Sequence, residues 1–342
     1  MKILKKSIGL DVSKADFKYC HCHLDEALSI HTIKANALKN DAKGVKELVK
    51  YLKTISDAST LQIVMEATGV YHELLAYTLV AEGFKVAILL PNKAKAFMKS
   101  INQRAKTDKI DAQLLSQMGL ERKLDQWVPP KEMYSQLKSL TRERNSLVKE
   151  KSILKNKLHA TESSFIKNKR VIGRLKKRIK LLEKQVDEIA NDINGIINDN
   201  QDLKEKVERI EKVKGLSRTT IATVIAETQG FNLIRNQKQL VGYAGLDVRQ
   251  HQSGNIQRKG TLSKKGNKYI RKALFLPALS SSQSNEYLKL FYQQLNNRQA
   301  AKKQGVLAVA RKMLILIYTL WQNGQEYDPE KNVQNRLILN TV

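Results

Sequence analysis

Apolar and polar positions follow two different rhythms along this chain, and the rhythm changes near residue 130. Before that point the periods are mixed. "KSIGLDVS" is a short apolar run ending at Asp11, the pattern of a buried strand. "FKYCHCHL" and "ALSIHTIKA" alternate residue by residue, and "SKAD" is short enough to join the first two runs as a hairpin. In "DAKGVKELVKYLKTI" the positions Val45, Leu48, Val49 and Leu52 fall on one helical face. "LQIVMEA" reads as a second buried strand ending at Glu66, and "YHELLAYTLVAEG" as a helix with Gly83 as its cap. "FKVAILL", stopped by Pro91, is a third core strand. A short helix, a basic turn and a helix carrying Asp108 and Asp111 follow. Three strands, helix, strand, helix, strand, helix predicts an α/β domain over residues 1–130, closed by "WVPP" (Trp127 to Pro130).

Residues 131–210 are helical throughout. Leu140, Leu147 and Leu154 repeat every seven positions. From Leu175 the apolar residues step by four and three: Ile179, Leu182, Val186, Ile189, Ile193, Ile196, then Leu203, Val207 and Ile210, with Asn200 in the one polar slot. That is a heptad seam. It predicts a coiled-coil hairpin turning near "SFIKNKR". The length of the seam predicts pairing with another chain, as a homo-oligomer, dimer or tetramer. Residues 211–342 form a mainly α-helical C-terminal domain. "RIEKVKGLSRTTIATVIAET" reads as helix, tight turn at Gly215, helix. A helix-hairpin-helix of that kind can hold a phosphate on its turn amides, and a plain αα-hairpin fits equally well. "GVLAVARKMLILIYTLWQNG" supplies an apolar core helix.

Charge changes the picture. The 342 residues carry a net +28, from 61 Lys plus Arg against 33 Asp plus Glu. Such an excess points to a polyanionic partner, nucleic acid ahead of an acidic membrane surface. No acid occurs between Val248 and Asn285, where Arg258, Lys259, Lys264, Lys265, Lys268, Arg271 and Lys272 cluster, with Gly260 and Gly266 as expected hinges. This predicts a phosphate-contacting surface. The apolar runs "VAILL" and "MLILIYTLW" are too short to span a membrane. "MKILKKSIGLDV" lacks the apolar run of a signal peptide. Two cysteines exclude a disulfide framework, so cytoplasm is expected, with the nucleoid as the place of work. "CHCHL" (Cys20 to Leu24) is not a metal cluster: on a strand its cysteines and histidines face opposite ways, and no second cluster completes a set.

Four acids remain. Asp11 and Glu66 end strands; Asp108 and Asp111 share one helix face behind Thr107, a suitable N-cap. Acids in a first turn also simply favour the helix dipole. In an open sheet, however, strand ends gather at one edge. Four gathered carboxylates would raise one another's pKa. Divalent cations remove the conflict, Mg²⁺ above all, which takes hard oxygen ligands. Two such ions, roughly 3.5–4 Å apart, can clamp the attacking and leaving oxygens of a phosphodiester. Arg104 and Lys106 alongside would hold the nucleic acid.

"GLDVSK", "MEATGVY" and "KTDKIDA" resemble the three signature blocks of the DEDD transposases of insertion sequences, relatives of the Piv-type DNA invertases. Their catalytic domain is similar to the RuvC resolvase, an RNase H-like fold. The resemblance implies that Asp11, Glu66, Asp108 and Asp111 are metal-binding catalytic acids. It continues through "LVGYAGLDVRQHQSGNIQRKGTLSKKGNKYIRKAL", similar to the family's second domain. There it implies a serine nucleophile at Ser253, before Gly254, where the residues alone leave Ser263 and Ser280 open. It also implies donor and target DNA as substrates, and a structured guide RNA. The expected activity is DNA transposition through a phosphoserine intermediate. A site-specific invertase, a RuvC-like metal nuclease needing no Ser253, and a non-catalytic basic scaffold are the alternatives.

Overall fold

The computed structural model describes residues 2–55, 60–67, 69–102, 107–253, 256–298 and 302–328. Arg104 and Lys106 lie outside them. The chain divides into two compact units, residues 1–129 and 130–342.

In the first unit, β1 (Ile3–Val12), β2 (Asp16–Asp25) and β3 (Ile30–Lys39) are followed by α1 (Ala42–Ile55), β4 (Leu61–Glu66), α2 (Glu73–Ala81), β5 (Lys85–Leu89), α3 (Pro91–Ser100) and α4 (Asp108–Glu121). The sheet order is β3-β2-β1-β4-β5. β2 is antiparallel to β1 and β3, while β1, β4 and β5 run parallel. This is the RNase H-like order expected from the sequence. Alternation divides the central strand. Ile8, Leu10 and Val12 join the core with Val45, Leu48 and Leu75. Ser7 and Gly9 face α4. Cys20 and Cys22 pack with Ala112 and Leu120 of α4, whereas His21 bonds Tyr51 of α1 at 2.9 Å. The thiols and imidazoles thus lie on opposite faces, as the alternation required.

The second unit contains α5 (Glu132–Ser163), α6 (Lys169–Asn198), α7 (Gln201–Glu211), α8 (Arg218–Thr228), α9 (Gln237–Ala244), β6 (Val248–Ser253), β7 (Ile256–Leu262), α10 (Lys268–Ser284), α11 (Glu286–Arg298) and α12 (Lys302–Asn323). α12 is long and apolar enough to cross a membrane by length and composition. Its Val309, Met313, Leu314 and Ile317 instead belong to a core shared with Ile193 of α6 and Val207 of α7.

One expectation needs correction. Asn200 is not a polar seam position. It caps α7, its Oδ1 accepting from Leu203 N at 3.0 Å, so the heptad run is broken into two helices. Near that break the buried residue is Ile197, and Ile196 is only partly buried. The expected hairpin is present, with the first seam residues of α6 packed on α5. Leu175, Ile179 and Leu182 form a cluster with Leu154 of α5. Ion pairs such as Lys155–Glu183 (3.0 Å) and Arg178–Glu150 (3.2 Å) run beside it and, being exposed, add little. Leu182→Ala should therefore cost about 2–3 kcal/mol of stability. Ile179→Asp should lower the Tm further without changing the sedimented mass, because it buries an unpartnered charge in a hairpin of one chain. An unchanged Tm with a smaller sedimenting species would place the seam between chains.

Candidate active site

The acids owe their placement to α4 lying almost on the backbone of β1. A Cβ on Gly9 would stand 1.9 Å from the Ala112 carbonyl oxygen and 2.3 Å from the Ser116 nitrogen. A Cβ on Gly119 would stand 2.3 Å from Ser7 Oγ and 2.8 Å from Val64 Cγ2. No side chain fits at either point. Ser116 Oγ fixes the contact by donating to the Ser7 carbonyl at 2.8 Å. The helix so held begins beyond the C-terminal end of β1. Thr107 caps it, accepting from Ile110 N, and Asp108 and Asp111 occupy its first turn.

Strand parity brings the other two acids to the same face. Asp11 follows Ser7 and Gly9 by steps of two, and so points toward α4. In the parallel register Leu10 pairs with Met65, so the next step brings Asp11 level with Glu66. Glu66 shares parity with Val64, which packs with Leu115 and Met118 of α4. On the other side Asp11 pairs with Lys18 of β2, whose ammonium makes an ion pair with Asp108.

The electrostatics record the convergence. The Asp11 carboxyl is pushed from its ordinary 3.8 up to about 6. Burial is the largest cause, followed by the charges of Asp108, Asp111 and Glu66, with Lys18 opposing. Each of the four acids is therefore felt at one place. Among the described residues, no three such side chains are gathered closely enough to hold a metal ion. Asp108 is turned to Lys18. The donor set is nonetheless hard, all-oxygen and overcharged, which suits a divalent cation. Sequence reasoning missed Lys18; its only signal was the register across the "SKAD" turn. It also missed Gly9, Gly119 and Ser116, the small residues that let the helix approach.

The C-terminal candidates surround a two-stranded hairpin in the second unit. Ser253 ends β6, paired with Ile256, and Gly254 lies outside the described residues. Of the two other serines left open, Ser263 is committed to Asp247, its Oγ donating to Oδ1 and its N–H to the carbonyl. Ser280 is exposed within α10. Gly260 lies inside β7 and is no hinge. Neither is Gly266, whose backbone presses on Gly245 so closely that a Cβ would stand 2.5 Å from its nitrogen. That contact and Asn267 fix the base of the hairpin. Asn267 caps α10 and donates to Glu227 Oε2 at 2.7 Å. Buried Glu227 also receives Arg142 at 2.7 and 3.0 Å. Of the cations, Arg258 and Lys259 fall in β7, and exposed Lys264 and Lys265 in the turn after it. Lys268 lies over the Tyr269 ring, and Arg271 donates to the Ala244 carbonyl at 2.8 Å, a structural engagement.

Comparison with known proteins bears on the chain as a whole. The pilin gene-inverting protein of Moraxella bovis is 27% identical over 95% of this chain and 98% of its own length. The transposase for insertion sequence element IS1111A of Coxiella burnetii is 24% identical over 79% of this chain and 76% of its own. A Thermus thermophilus RuvC structure in complex with Holliday junction substrate aligns with 32% of this chain and 90% of its own, at 8% identity and TM-score 0.26, a likeness too slight to bear on function. A transposase family profile matches residues 8–163, and a profile of the IS116/IS110/IS902 transposase family matches residues 207–293. The first takes in Asp11, Glu66, Asp108 and Asp111, the second Ser253, and together they span most of the sequence: the chain belongs to the IS110 family of transposases, enzymes of DNA recombination.

Proposed function

We propose that the protein is an insertion-sequence transposase that cuts and rejoins DNA, with Mg²⁺ at Asp11, Glu66, Asp108 and Asp111 and with Ser253 as nucleophile. The observation that carries this reading is the Asp11 carboxyl, raised to about 6 by burial and by the other three acids. Such a cluster is poorly stable without a cation. When bound, Mg²⁺ would supply charge neutralisation at the attacking and leaving oxygens of a phosphodiester. Asp11 and Glu66, fixed on strands, would hold it from the sheet, and Asp108 and Asp111 from the helix. Lys18 holds Asp108 by its ammonium and must release it for the acid to ligate.

Ser253 Oγ would form a bond to phosphorus as the bond to one DNA oxygen breaks. The serine proton passes to that departing oxygen. No bond energy is lost to water, so the strand can be rejoined by the reverse step. A structured guide RNA as second polyanion fits the +28 charge. The full-length likeness to the pilin gene-inverting protein favours a second reading, a site-specific invertase with the same chemistry. Mobility of the protein's own gene in a cell-based assay separates the two.

Three outcomes are expected. The amide variants Asp11→Asn, Glu66→Gln, Asp108→Asn and Asp111→Asn should each lose strand cleavage by at least ~100-fold while keeping DNA affinity, because phosphate binding comes from Lys and Arg. A variant that recombines normally removes its residue from the site. Asp11→Asn should also raise the Tm at pH 8 without divalent cations. The folded protein binds the Asp11 proton near pH 6 and the unfolded chain near 3.8, so wild-type stability falls as pH rises through this window. The variant lacks that loss. Its Tm advantage should shrink below about pH 6 and be gone near 3.8. Thirdly, labelled DNA run on a denaturing gel should show a protein-linked product with wild type and none with Ser253→Ala. An adduct surviving the substitution would place the nucleophile elsewhere, and cleavage without any adduct would mean attack by water.

A further inference from the structure

A groove of about 430 Å³ opens in the second unit between α5, the start of α8 and α10, and neither the four acids nor Ser253 belongs to its lining. Its lining includes Arg142, Arg144 and Lys272, several hydroxyl side chains, and an apolar wall with Leu276 and Pro277, but no acid. Arg142 is already committed: it forks onto Glu227 and lies over the Tyr269 ring at 4.5 Å. Arg144 is not. Its Nε is buried and makes no hydrogen bond. A buried guanidinium N–H left without an acceptor is costly, and nearly all such donors in folded proteins have one. The first turn of α8 faces the same space. Ser217 caps it by accepting from Thr220 N, and its own first turn holds no acidic residue, although Arg218 at its start pairs with Glu211 of α7. The first N–H groups of a helix have no acceptor within the helix itself.

We propose that this groove binds one nucleotide of a single-stranded nucleic acid. The phosphate would be taken by Arg144, Lys272 and the α8 N-terminus, and the base would lie along Leu276 and Pro277. An oxyanion supplies the acceptor that Arg144 Nε lacks and the negative charge that a helix start favours. The apolar wall gives the base a place to leave water, and the volume accepts both parts together. An isolated phosphate would leave that wall uncovered. The site rests on this geometry and depends on neither the metal nor the serine chemistry.

The test is equilibrium binding of the full chain to a short fluorescent single strand, DNA in one arm and RNA in the other, read as anisotropy across a salt series without divalent cations. Arg144→Gln with Lys272→Gln should weaken binding at least about tenfold and flatten the slope of the salt dependence by roughly 0.7 for each phosphate no longer neutralised. Lys177→Gln with Lys180→Gln, exposed on α6, removes the same charge and should change affinity less than about twofold. Arg144→Leu should hold or raise the Tm while lowering affinity, since it deletes an unsatisfied donor; a merely structural arginine would lower the Tm when replaced. The proposal is overturned if the groove pair and the α6 pair weaken binding equally, or if Arg144→Leu lowers the Tm and leaves affinity unchanged. Equal weakening in both arms identifies the shared phosphate-and-base chemistry, and weakening in one arm names the strand. Because the readout is binding, it can fail while recombination stands, and the reverse.

Discussion

A helix can rest on the backbone of a strand only where side chains are missing, and that contact governs the first unit. Gly9 and Gly119 supply the two missing side chains, and Ser116 bonds the Ser7 carbonyl across the gap. Moved outward by the width of a methyl group, α4 would carry Asp108 and Asp111 away from Asp11. The five-stranded sheet sets the other half of the constraint. Its parallel β1–β4 pair fixes Asp11 level with Glu66, and its antiparallel β1–β2 pair sets Lys18 opposite Asp11. Backbone geometry, more than any attraction among the acids, holds the cluster together.

The cluster is unfavourable as it stands, which is how function shows itself here. Asp11 holds its proton more tightly than a free aspartate because burial and three neighbouring charges oppose its ionisation. Lys18 offsets part of this by pairing with Asp108. The second unit holds a charge imbalance of the opposite sign. Arg142 is matched by buried Glu227, whereas Arg144 keeps a buried N–H without an acceptor. Acids that want a cation and cations that want an anion are what an enzyme of phosphodiester chemistry would keep. Each costs stability in the free protein that a ligand restores.

Much of this was legible in the sequence. Alternation separated the Cys and His faces of β2, and strand order gave the sheet. The acid blocks singled out four carboxylates from short local patterns, and the fold lets Glu66, Asp108 and Asp111 act on Asp11. What local pattern cannot show was missed. Asn200 fits a heptad as well as a cap, since α7 resumes the apolar spacing at Leu203, and only the bond to Leu203 N decides between them. The hairpin itself, with α5 covering the apolar face of α6, was by contrast legible in the heptads and the turn near "SFIKNKR". Lys18 was hidden because its partner lies ninety residues away. The groove at Arg144 was hidden because its three walls come from three separated segments. Ser253 stood out only by resemblance, since nothing in the residues ranks it above Ser263, whose hydroxyl bonds Asp247.

Everything proposed for the first unit turns on whether the four acids form one site for a divalent cation. Calorimetric titration of Mg²⁺ or Mn²⁺ into the full chain, repeated in buffers of different ionisation enthalpy, measures both binding and the protons released with it. A single four-acid site predicts saturable binding that displaces roughly half a proton near pH 6, where Asp11 is half protonated, and almost none at pH 8, with both signals removed by Asp11→Asn. Binding whose affinity and proton count are the same in wild type and Asp11→Asn, or no saturable binding at all, would contradict it.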